Sequence, residues 1–416
     1  AAVGRIVLTA DEAMMAADDV ILVRDETSPA DVHGMQVAVG ILTTKGGLAS
    51  HAAVVARGWG KPAVCGAENI EIGTDHILIN GERIDAGETL SIDGASGEVI
   101  RGSLQTTKVD PIPALATLLT WADEVRDLAI RANADTASEA KVARDNGAEG
   151  IGLCRTEHMF LDEQRLPVIR RMILAETPEQ EAEALNDLRD SQYNDFVELL
   201  EQMDGLPVTV RLLDPPLHEF LPNIDELMEA AARNELDEQG KALLAAAQKW
   251  RERNPMIGTR GVRLAWLKPG LYEMQTQALL DAISDRVANG GQPVVEIMIP
   301  LTVSGKELSG IRQQIETVVE EHNSTTSIKI GTMIETPRAA VVAGELAEHA
   351  DFFSFGTNDL TQLTFGFSRD DIESRIMGLY LDEELIEANP FQRLDSGAVL
   401  ELVRLGIERG RNTKPD

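Results

Sequence analysis

Charged and polar residues interrupt several apolar, strand-like segments at their carboxyl ends. They are Arg155 after GIGLC, Arg211 and Asp214 in VTVRLLD, Glu335 after IGTMI, and Asn358 and Asp359 after FSFGT. Mg²⁺ is usually held by one or two carboxylates with water and substrate oxygens, and guanidinium groups bind phosphate bidentately. The residue types predict Mg²⁺ on Glu335 and Asp359 beside an anionic, phosphorylated substrate. Each residue alone could equally well form an ordinary salt bridge at the rim of a barrel. The recurrence of such residues at several strand ends favours a functional site.

A second candidate is His51, in the segment TTKGGLASHAAVVARG. Two glycines precede Ser50 and His51, which stand at the predicted start of an amphipathic helix. Glycines let the backbone approach a bulky anion, and helix N-terminal N–H groups stabilise negative charge. A neutral imidazole in that place can accept a phosphoryl group on a ring nitrogen. The motif alone is better explained by a capping serine and a histidine in the first helical turn, so covalent catalysis needs further support.

A repeated strand–helix pattern positions the first set of residues. A helix is predicted from Ala114 to about Arg131, and a last one near 396–411. Between them the predicted strands are IRANAD, GIGLCRTE, PVTVRLLD, a short one near GTRGVRL, VVEIMIPL, IKIGTMIE and FFSFGTND. Active sites of (β/α) barrels form at the carboxyl ends of the strands. Seven units are one short of a closed barrel, so the pattern predicts a (β/α)8-type barrel truncated before strand 8, or a doubly wound open sheet.

The first hundred residues have a different pattern. Residues 1–101 alternate short β-like runs with Gly and Asp turns around one helical stretch, SHAAVVARGW, which predicts a compact α/β domain. The segment 102–113, GSLQTTKVDPIP, is polar and contains two prolines, as linkers often do. We therefore predict a first domain at 1–101, a linker and connecting helix at 102–131, and a barrel domain at 132–416.

The composition excludes several classes of protein. The chain has 38 Lys and Arg against 69 Asp and Glu, a net charge of −31, which argues against nucleic acid or anionic membrane as a partner. Its two cysteines, Cys65 and Cys154, cannot form a disulfide framework or a Cys-based zinc site. No apolar run approaches the ~18 residues of a spanning helix. We predict a cytoplasmic protein that is a piece of a longer polypeptide, because the chain starts without Met and stops without a closing element.

Several segments together carry a family resemblance. They are GGLASHAAVVARG near the N-terminus and then, in the family's order, NADTASEAKVARDNGAEGIGLCRTEHMF, LPVTVRLLDPPLHEFLP, NPMIGTRGVRL, IGTMIETPRAA and FGTNDLTQLTFGFSRDD. The chain resembles the phosphoenolpyruvate-utilising enzyme family over nearly its whole length. The segment RLLDPPLHEFLP is similar to the dikinase branch of that family and differs from enzyme I and phosphoenolpyruvate synthase.

The resemblance implies a swivelling phosphohistidine domain followed by a barrel that binds pyruvate or phosphoenolpyruvate. The resemblance implies that His51 is phosphorylated and exchanges the phosphoryl group with the enolate of pyruvate. This exchange is part of the reaction ATP + pyruvate + phosphate = AMP + phosphoenolpyruvate + diphosphate. The implied phosphate contacts are Arg155, Arg211, Arg260 and Arg369. Glu335 and Asp359 would bind Mg²⁺, while Asn358 and the backbone of Gly356 and Thr357 would hold the substrate carboxylate. The resemblance also implies a homodimer.

The sequence departs from the family at three places. It has no counterpart of the ATP-grasp domain, which becomes an expected partner on the same polypeptide, and no C-terminal CGEH segment with the acid/base cysteine. Neither Cys65 nor Cys154 lies in such a context. This chain alone is therefore expected to be incomplete for turnover. Ala49 replaces the Thr that usually precedes the Ser-His pair, so phosphorylation at that Thr is not expected. Two alternatives stay open: an enzyme I-like protein phosphotransferase, which needs an inserted helical domain, and a non-catalytic remnant of the fold. The other histidines carry no predicted role.

Overall fold

The structure is a computed structural model that divides into two compact units. It describes residues 1–416 apart from 17, 28–30, 47–50, 59, 68, 105–112, 161–164, 323–325 and 416, and only the backbone at 32, 51, 54, 57, 58, 113, 116 and 374. The first unit comprises Ala1–Arg126 and Arg369–Glu387, and the second comprises Asp127–Ser368 and Ala388–Asp416. Most of the predicted linker at 102–113 lies outside the described residues.

The described part of the first 126 residues contains short strands and helices. The strands are β1 (Ala2–Val7), β2 (Val20–Arg24), β3 (Gly40–Thr43), β4 (Ala63–Cys65), β5 (Ile70–Ile72), β6 (His76–Ile79), β7 (Glu82–Asp85), β8 (Thr89–Asp93) and β9 (Glu98–Arg101). The helices are α1 (Ala10–Met15), α2 (Val32–Val37), α3 (His51–Gly58) and α4 (Pro113–Val125). The helix predicted from Ala114 therefore ends earlier than expected, at Val125.

The main sheet of the first unit has the strand order β4-β3-β2-β1-β8-β9, and a separate antiparallel sheet has the order β5-β6-β7. Strands β1 to β4 are mutually parallel, whereas β8 and β9 are antiparallel additions. Both faces of the main sheet are covered because successive side chains of a strand point to opposite sides. In β2, Ile21 joins a cluster with Ile77 and Ile84 of the small sheet, while Leu22 joins a cluster with Ala52 of α3.

The elements after Asp127 form the second unit, except for two helices. The strands are β10 (Ala132–Asn133), β11 (Ile151–Arg155), β12 (Pro207–Arg211), β13 (Val294–Ile299), β14 (Lys329–Ile334) and β15 (Phe353–Phe355). The helices are α5 (Ala137–Asp145), α6 (Glu157–Phe160), α7 (Leu166–Leu174), α8 (Pro178–Gln202), α9 (Ile224–Ala232), α10 (Glu238–Trp250), α11 (Val262–Leu267), α12 (Pro269–Ala288), α13 (Gly305–His322), α14 (Pro337–Val341), α15 (Ala343–Ala347), α16 (Thr357–Phe365), α17 (Arg369–Arg375), α18 (Met377–Asp382) and α19 (Val399–Thr413). Helices α17 and α18 group with the first unit.

The sheet of the second unit confirms the α/β class. Its strands run in the order β10-β11-β12-β13-β14-β15, and every neighbouring pair is parallel. Helices follow the strands as in part of an α/β barrel, and one continuous apolar core joins sheet and helices. Because all the strands are parallel, their carboxyl ends lie along one edge of the sheet.

One predicted strand is wrong. The segment near Gly258–Leu264 forms a 3₁₀ turn (Pro255–Ile257) and helix α11, so the described sheet has six strands and β12 pairs directly with β13. The buried residues Val262, Leu264 and Ala265 follow a helical rather than an alternating spacing. The backbone there also bonds to loops rather than to a strand, because the Gly261 N–H donates to Asp214 O at 2.7 Å.

The helices owe their limits to local capping and their packing to one apolar face. Helix α8 begins after Thr177, which forms a capping box with Gln180, and buries Leu188, Phe196 and Leu199 on one side. Its remaining surface is largely charged. Among the helices that the structure describes, none is both long and apolar enough to cross a bilayer.

Candidate active site

Neighbouring strands of the second unit end at matching positions in the sheet. Arg155, the last residue of β11, is the register partner of Arg211, the last residue of β12. Glu335 directly follows β14, and Gly356, after β15, donates its N–H to Ile334 O at 3.0 Å. The parallel register therefore gathers four of the predicted site residues along the carboxyl edge of one sheet.

Arg211 is buried among acidic groups. It is 8% exposed, its Nη2 donates to Glu157 Oε1, and its Nη1 lies 3.1 Å from Asp214 Oδ2. Burial alone would lower the pKa of Arg211, but Asp214, Glu157 and Glu335 raise it above its ordinary value. Arg211 is therefore a permanent cation fixed at the centre of the site.

Arg260 reaches the same cluster from the loop before α11. Its Nε donates to Asp214 Oδ1 at 3.1 Å, its Nη2 donates to Asp214 Oδ2, and Nη2 also donates to Asp359 Oδ2 at 3.2 Å. The next residue, Gly261, has φ of +56°, and a Cβ there would lie 3.0 Å from Asp214 Oδ1. A side chain at Gly261 would thus be strained and crowded, so this glycine allows Arg260 to meet Asp214.

Glu335 is the most deeply buried predicted metal ligand. It is 1% exposed, and its Oε1 accepts the Leu301 N–H at 2.6 Å. Burial raises the pKa of Glu335 well above its usual range, and the nearby carboxylates of Asp214 and Asp359 raise it further. The ionised form is therefore costly unless a cation lies beside it.

The charge balance of the cluster fits a divalent cation. Four carboxylates, those of Glu157, Asp214, Glu335 and Asp359, face the two guanidinium groups of Arg211 and Arg260. With all four carboxylates ionised the cluster has an excess of two negative charges, and carboxylate oxygens are donors that Mg²⁺ prefers. Among the described residues no group of three or more His, Cys, Asp or Glu is arranged as a metal site. A site built from two carboxylates, water and substrate oxygens does not require such a group.

Some buried polar atoms at the site lack a partner within the described residues. They are Arg155 Nε, Arg211 Nε and Glu157 Oε2. Buried polar groups are normally hydrogen-bonded, so unsatisfied ones at the same strand ends indicate a place for a polar ligand or water.

Arg155 lies beside a separate carboxylate. Asp135, after β10, is buried and accepts the Arg155 backbone N–H at 2.6 Å, while the Arg155 Nε is 3.7 Å from Asp135 Oδ2. His158 Nδ1 lies 2.7 Å from the same Oδ2. Burial alone would raise the pKa of Asp135, but the bonds from His158 and Arg155 outweigh it and lower that pKa.

The predicted carboxylate-binding residues lie at the start of α16. Gly356 is the N-cap, and Thr357 and Asn358 are exposed in the first turn, with Asp359 half-buried behind them. A Cβ at Gly356 would lie 2.7 Å from Glu335 Cβ and 2.9 Å from its Oε2. Because position 356 is glycine, the start of α16 can lie close to the Glu335 side chain.

Two predicted residues lie in the first unit. His51 is the first residue of α3, as the sequence predicts, but its side chain and residues 47–50 before it lie outside the described residues. Arg369 is the first residue of α17, where its Nε donates to Glu373 Oε2 at 2.8 Å. The phosphoryl roles of His51 and Arg369 stay predictions.

The structure adds residues to which sequence reasoning gave no role. Glu157 and Asp135 contact the predicted arginines, and His158 contacts Asp135. Asp214, which the sequence placed among the strand-end candidates, joins two of these arginines. Their position just after a strand was the available signal, but strand ends do not reveal which side chains meet.

Cys154, one residue before Arg155, is fully buried, and burial raises the pKa of its thiol well above the usual range. A thiol in such surroundings is expected to be unreactive.

Two family models match the chain. Residues 112–413 match the PEP-binding domain of PEP-utilising enzymes, and residues 16–97 match the mobile domain of the same enzymes. The first match alone covers well over half of the 416 residues. The chain belongs to the phosphoenolpyruvate-utilising enzyme family.

Curated relatives refine this similarity. Over its full length the chain is 48% identical to "Pyruvate, phosphate dikinase 1, chloroplastic" of Oryza sativa subsp. japonica and to "Pyruvate, phosphate dikinase, chloroplastic" of Mesembryanthemum crystallinum. It is 47% identical to "Pyruvate, phosphate dikinase" of Rhizobium meliloti (strain 1021). The chain spans about half the length of these relatives, 45%, 45% and 47% respectively.

Proposed function

We propose that the chain is the phosphohistidine and substrate-binding part of a pyruvate phosphate dikinase. In this proposal the second unit binds phosphoenolpyruvate or pyruvate, and His51 of the first unit exchanges a phosphoryl group with it. The names of the relatives and the dikinase-like segment RLLDPPLHEFLP support this assignment over other members of the family. The domain division at 1–101, 102–131 and 132–416 belongs to the same proposal.

The observation that carries the proposal is the buried guanidinium of Arg211 and the partly buried guanidinium of Arg260 beside Glu335. Phosphoryl transfer is mainly a matter of positioning and of neutralising charge on the phosphoryl oxygens. Arg211 and Arg260 provide cations fixed by carboxylates, and Arg155 adds a more exposed cation. The N–H groups of Arg155 and Arg211 that have no partner within the described residues point to a polar ligand. An anionic, phosphorylated three-carbon acid satisfies both features.

Glu335 and Asp359 would hold Mg²⁺, which when bound supplies positive charge next to the phosphoryl and enolate oxygens. The ionised Glu335 is the group that most needs this charge, because it is buried among other carboxylates. The backbone of Gly356 and Thr357 and the Asn358 side chain, at the start of α16, would bind the substrate carboxylate.

In the transfer step, the bond between the bridging oxygen and phosphorus of phosphoenolpyruvate breaks, and a nitrogen–phosphorus bond to the His51 ring forms. The electron pair of the broken bond stays on the enolate oxygen. A proton delivered to the methylene carbon, in the family by the cysteine of the CGEH segment, then gives pyruvate. Arg155 and Arg211 would keep the phosphoryl oxygens in place throughout. The reverse sequence forms phosphoenolpyruvate from pyruvate, with ATP and phosphate charging the histidine on an ATP-grasp domain.

Two further parts of the proposal concern assembly and location. We propose that the protein acts as a homodimer in the cytoplasm, although the two plant relatives carry the word chloroplastic in their names. The enzyme I alternative is not favoured, because the described helices before residue 101 are six to eight residues long and form no inserted helical domain.

Phosphohistidine formation tests the proposal. The chain is incubated with Mg²⁺ and phosphoenolpyruvate carrying ³²P, and the acid-labile, base-stable label bound to the protein is measured. We expect labelling in the unmodified chain and in His33→Asn, a matched control in the same unit, but not in His51→Asn. Arg211→Gln is expected to lower the labelling rate by roughly 100-fold or more, because it removes a fixed donor. Equal labelling in all four chains would contradict the proposal.

A further inference from the structure

Arg155 differs from Arg211 and Arg260 in the hydrogen bonds that its guanidinium makes. Arg211 and Arg260 are hydrogen-bonded to carboxylates, whereas Arg155 is about one-third exposed at its side chain. Within the described residues the carboxylate of Asp135, at 3.7 Å, is its one ion-pair partner, and its Nε has no hydrogen bond. An incoming phosphate therefore meets Arg155 without displacing a bonded carboxylate.

Asp135 is fixed between β11 and α6. Its Oδ1 accepts the Arg155 backbone N–H at 2.6 Å, and its Oδ2 lies 2.7 Å from His158 Nδ1, which donates because a carboxylate has no proton to give. Its own N–H donates to Glu139 Oε2 at 2.8 Å. One buried carboxylate thus contacts both the residue expected to bind phosphate and a histidine three residues later.

We propose that His158 is a positioning residue which, through Asp135, sets how readily Arg155 binds the phosphoryl group of the substrate. The inference rests on the proposed function. When His158 is protonated, its charge offsets that of Asp135, and the Arg155 guanidinium is available to phosphate. When His158 loses its proton, the uncompensated Asp135 carboxylate attracts Arg155 and repels the phosphate.

The surrounding charges shift the pKa of His158, and with it the pH of this change, above the ordinary value of a histidine. The described charged groups that face the pair are Glu157 beside His158, Arg155 on β11 and Glu139 on α5. The hydrogen bond to Asp135 raises the pKa of His158 above 6.5; burial and Arg155 oppose this rise, and Glu157 adds to it. Affinity for the phosphoryl group should consequently fall as pH rises through the pKa of His158.

Binding of phosphoenolpyruvate in the presence of Mg²⁺, measured by calorimetry from pH 6 to pH 9, tests the inference. The variants are His158→Gln, which keeps a hydrogen-bond donor without a charge, and His322→Gln, a matched control. His322 belongs to the same unit and contacts Asp281 at 3.0 Å. Because phosphate itself titrates, the ratio of each variant's Kd to that of the unmodified chain is compared at each pH.

We expect the His158→Gln ratio to be roughly fivefold or more at pH 6 and to approach one at pH 9, with the His322→Gln ratio near one throughout. In an Asp135→Asn background, His158→Gln should change Kd less than about twofold, since the charge through which His158 acts is gone. By reciprocity, phosphoenolpyruvate should raise the pKa of His158 in an NMR titration of the unmodified chain.

A pH-independent His158→Gln ratio, or the same trend in His322→Gln, would overturn the inference while leaving the proposed function standing. Absence of Mg²⁺-dependent phosphoenolpyruvate binding in the unmodified chain would overturn the proposed function, and this inference with it. If His158→Gln fails to fold, the NMR titration decides, because an unchanged pKa of His158 on ligand binding contradicts the coupling.

Discussion

The carboxylate of Asp214 binds the guanidinium of Arg260 through two hydrogen bonds, Nε to Oδ1 at 3.1 Å and Nη2 to Oδ2. Nη1 of Arg211 lies 3.1 Å from the same Oδ2. Asp214, which is 2% exposed, therefore joins two of the predicted phosphate-binding arginines. Its position is itself fixed, since Gln275 accepts the Leu213 N–H at 2.9 Å and Tyr272 donates to Leu213 O at 2.9 Å.

Asp214→Asn should destabilise the second unit by about 3–5 kcal/mol, because it leaves the buried Arg211 and the partly buried Arg260 without their shared countercharge. Urea denaturation measures the loss. Asp204→Asn is the matched control: its carboxylate pairs with Arg286 at 3.6 Å and is about one-third exposed, so the expected change is below about 1 kcal/mol. Similar losses in the free energy of unfolding in the two variants would show that Asp214 stabilises the unit no more than an ordinary, partly exposed ion pair does.

Gly356→Ala should weaken Mg²⁺ binding and cost roughly 1–3 kcal/mol of stability, because the new Cβ would lie 2.7 Å from Glu335 Cβ and push that side chain away. Gly378→Ala in α18 is the control, since a Cβ there has nothing within 4 Å. Helix propensity predicts that the control is stabilising by about 0.5–1 kcal/mol. Mg²⁺ titrations followed by thermal melts separate the two effects, and unchanged Mg²⁺ binding in Gly356→Ala would argue against Glu335 as a ligand.

Mg²⁺ should raise the melting temperature of the unmodified chain. At ten times its Kd the ion adds about 1.4 kcal/mol, or roughly 2–4 °C. Glu335→Gln should remove this shift and melt higher than the unmodified chain without Mg²⁺, because it replaces a buried carboxylate whose pKa is raised by burial and by like charges. Glu296→Gln, also at a mostly buried glutamate, should keep the Mg²⁺ shift. A full Mg²⁺ shift in Glu335→Gln would remove the basis for the metal site.

Acid should weaken the second unit partly through Glu296. Burial alone would raise the pKa of this group, but Arg131 Nη1 at 2.6 Å and Thr209 Oγ1 at 2.7 Å donate to its Oε2, and its pKa is lowered. Its stabilising contribution is therefore complete above the unfolded pKa of about 4.3 and is lost as pH falls through the folded value. Denaturation at several values between pH 3 and pH 6 should show a shallower decline in Glu296→Gln. An identical slope in both chains would contradict this assignment.

The sequence predicts the strand-end residues of the second unit well because one simple rule governs them. Parallel strands end at one edge, so Arg155, Arg211 and Glu335 come together wherever each strand is recognised. Arg260 was expected at the site from family resemblance, yet its local structure was predicted incorrectly. A glycine at φ of +56° turns the chain there into α11, and short apolar runs do not distinguish a helix from a strand.

Other features of the site depend on contacts that spacing does not encode. Asp135 reaches Arg155 across neighbouring strands, and Glu157 reaches Arg211 in the same way. Several acidic residues follow strands in this chain, and the sequence alone gives no means of choosing which one meets which arginine. The resulting pKa shifts could not be predicted for the same reason, because they depend on burial and on neighbours in space.

The direct pairing of β12 with β13 has a consequence for how the second unit folds. Thr209 and Glu296, hydrogen-bonded at 2.7 Å, are 87 positions apart, and the chain between them contains Asp214, Arg260 and Gly261. Closing so large a loop costs conformational entropy before the contacts between β12 and β13 can form and offset that cost. Pairing between residues so far apart in the sequence therefore slows folding. We therefore expect the halves of this sheet on either side of the β12–β13 boundary to join late in folding. The arginine–carboxylate cluster would then acquire its final geometry only in the last stage, so an assay of ligand binding should lag behind the recovery of helical signal.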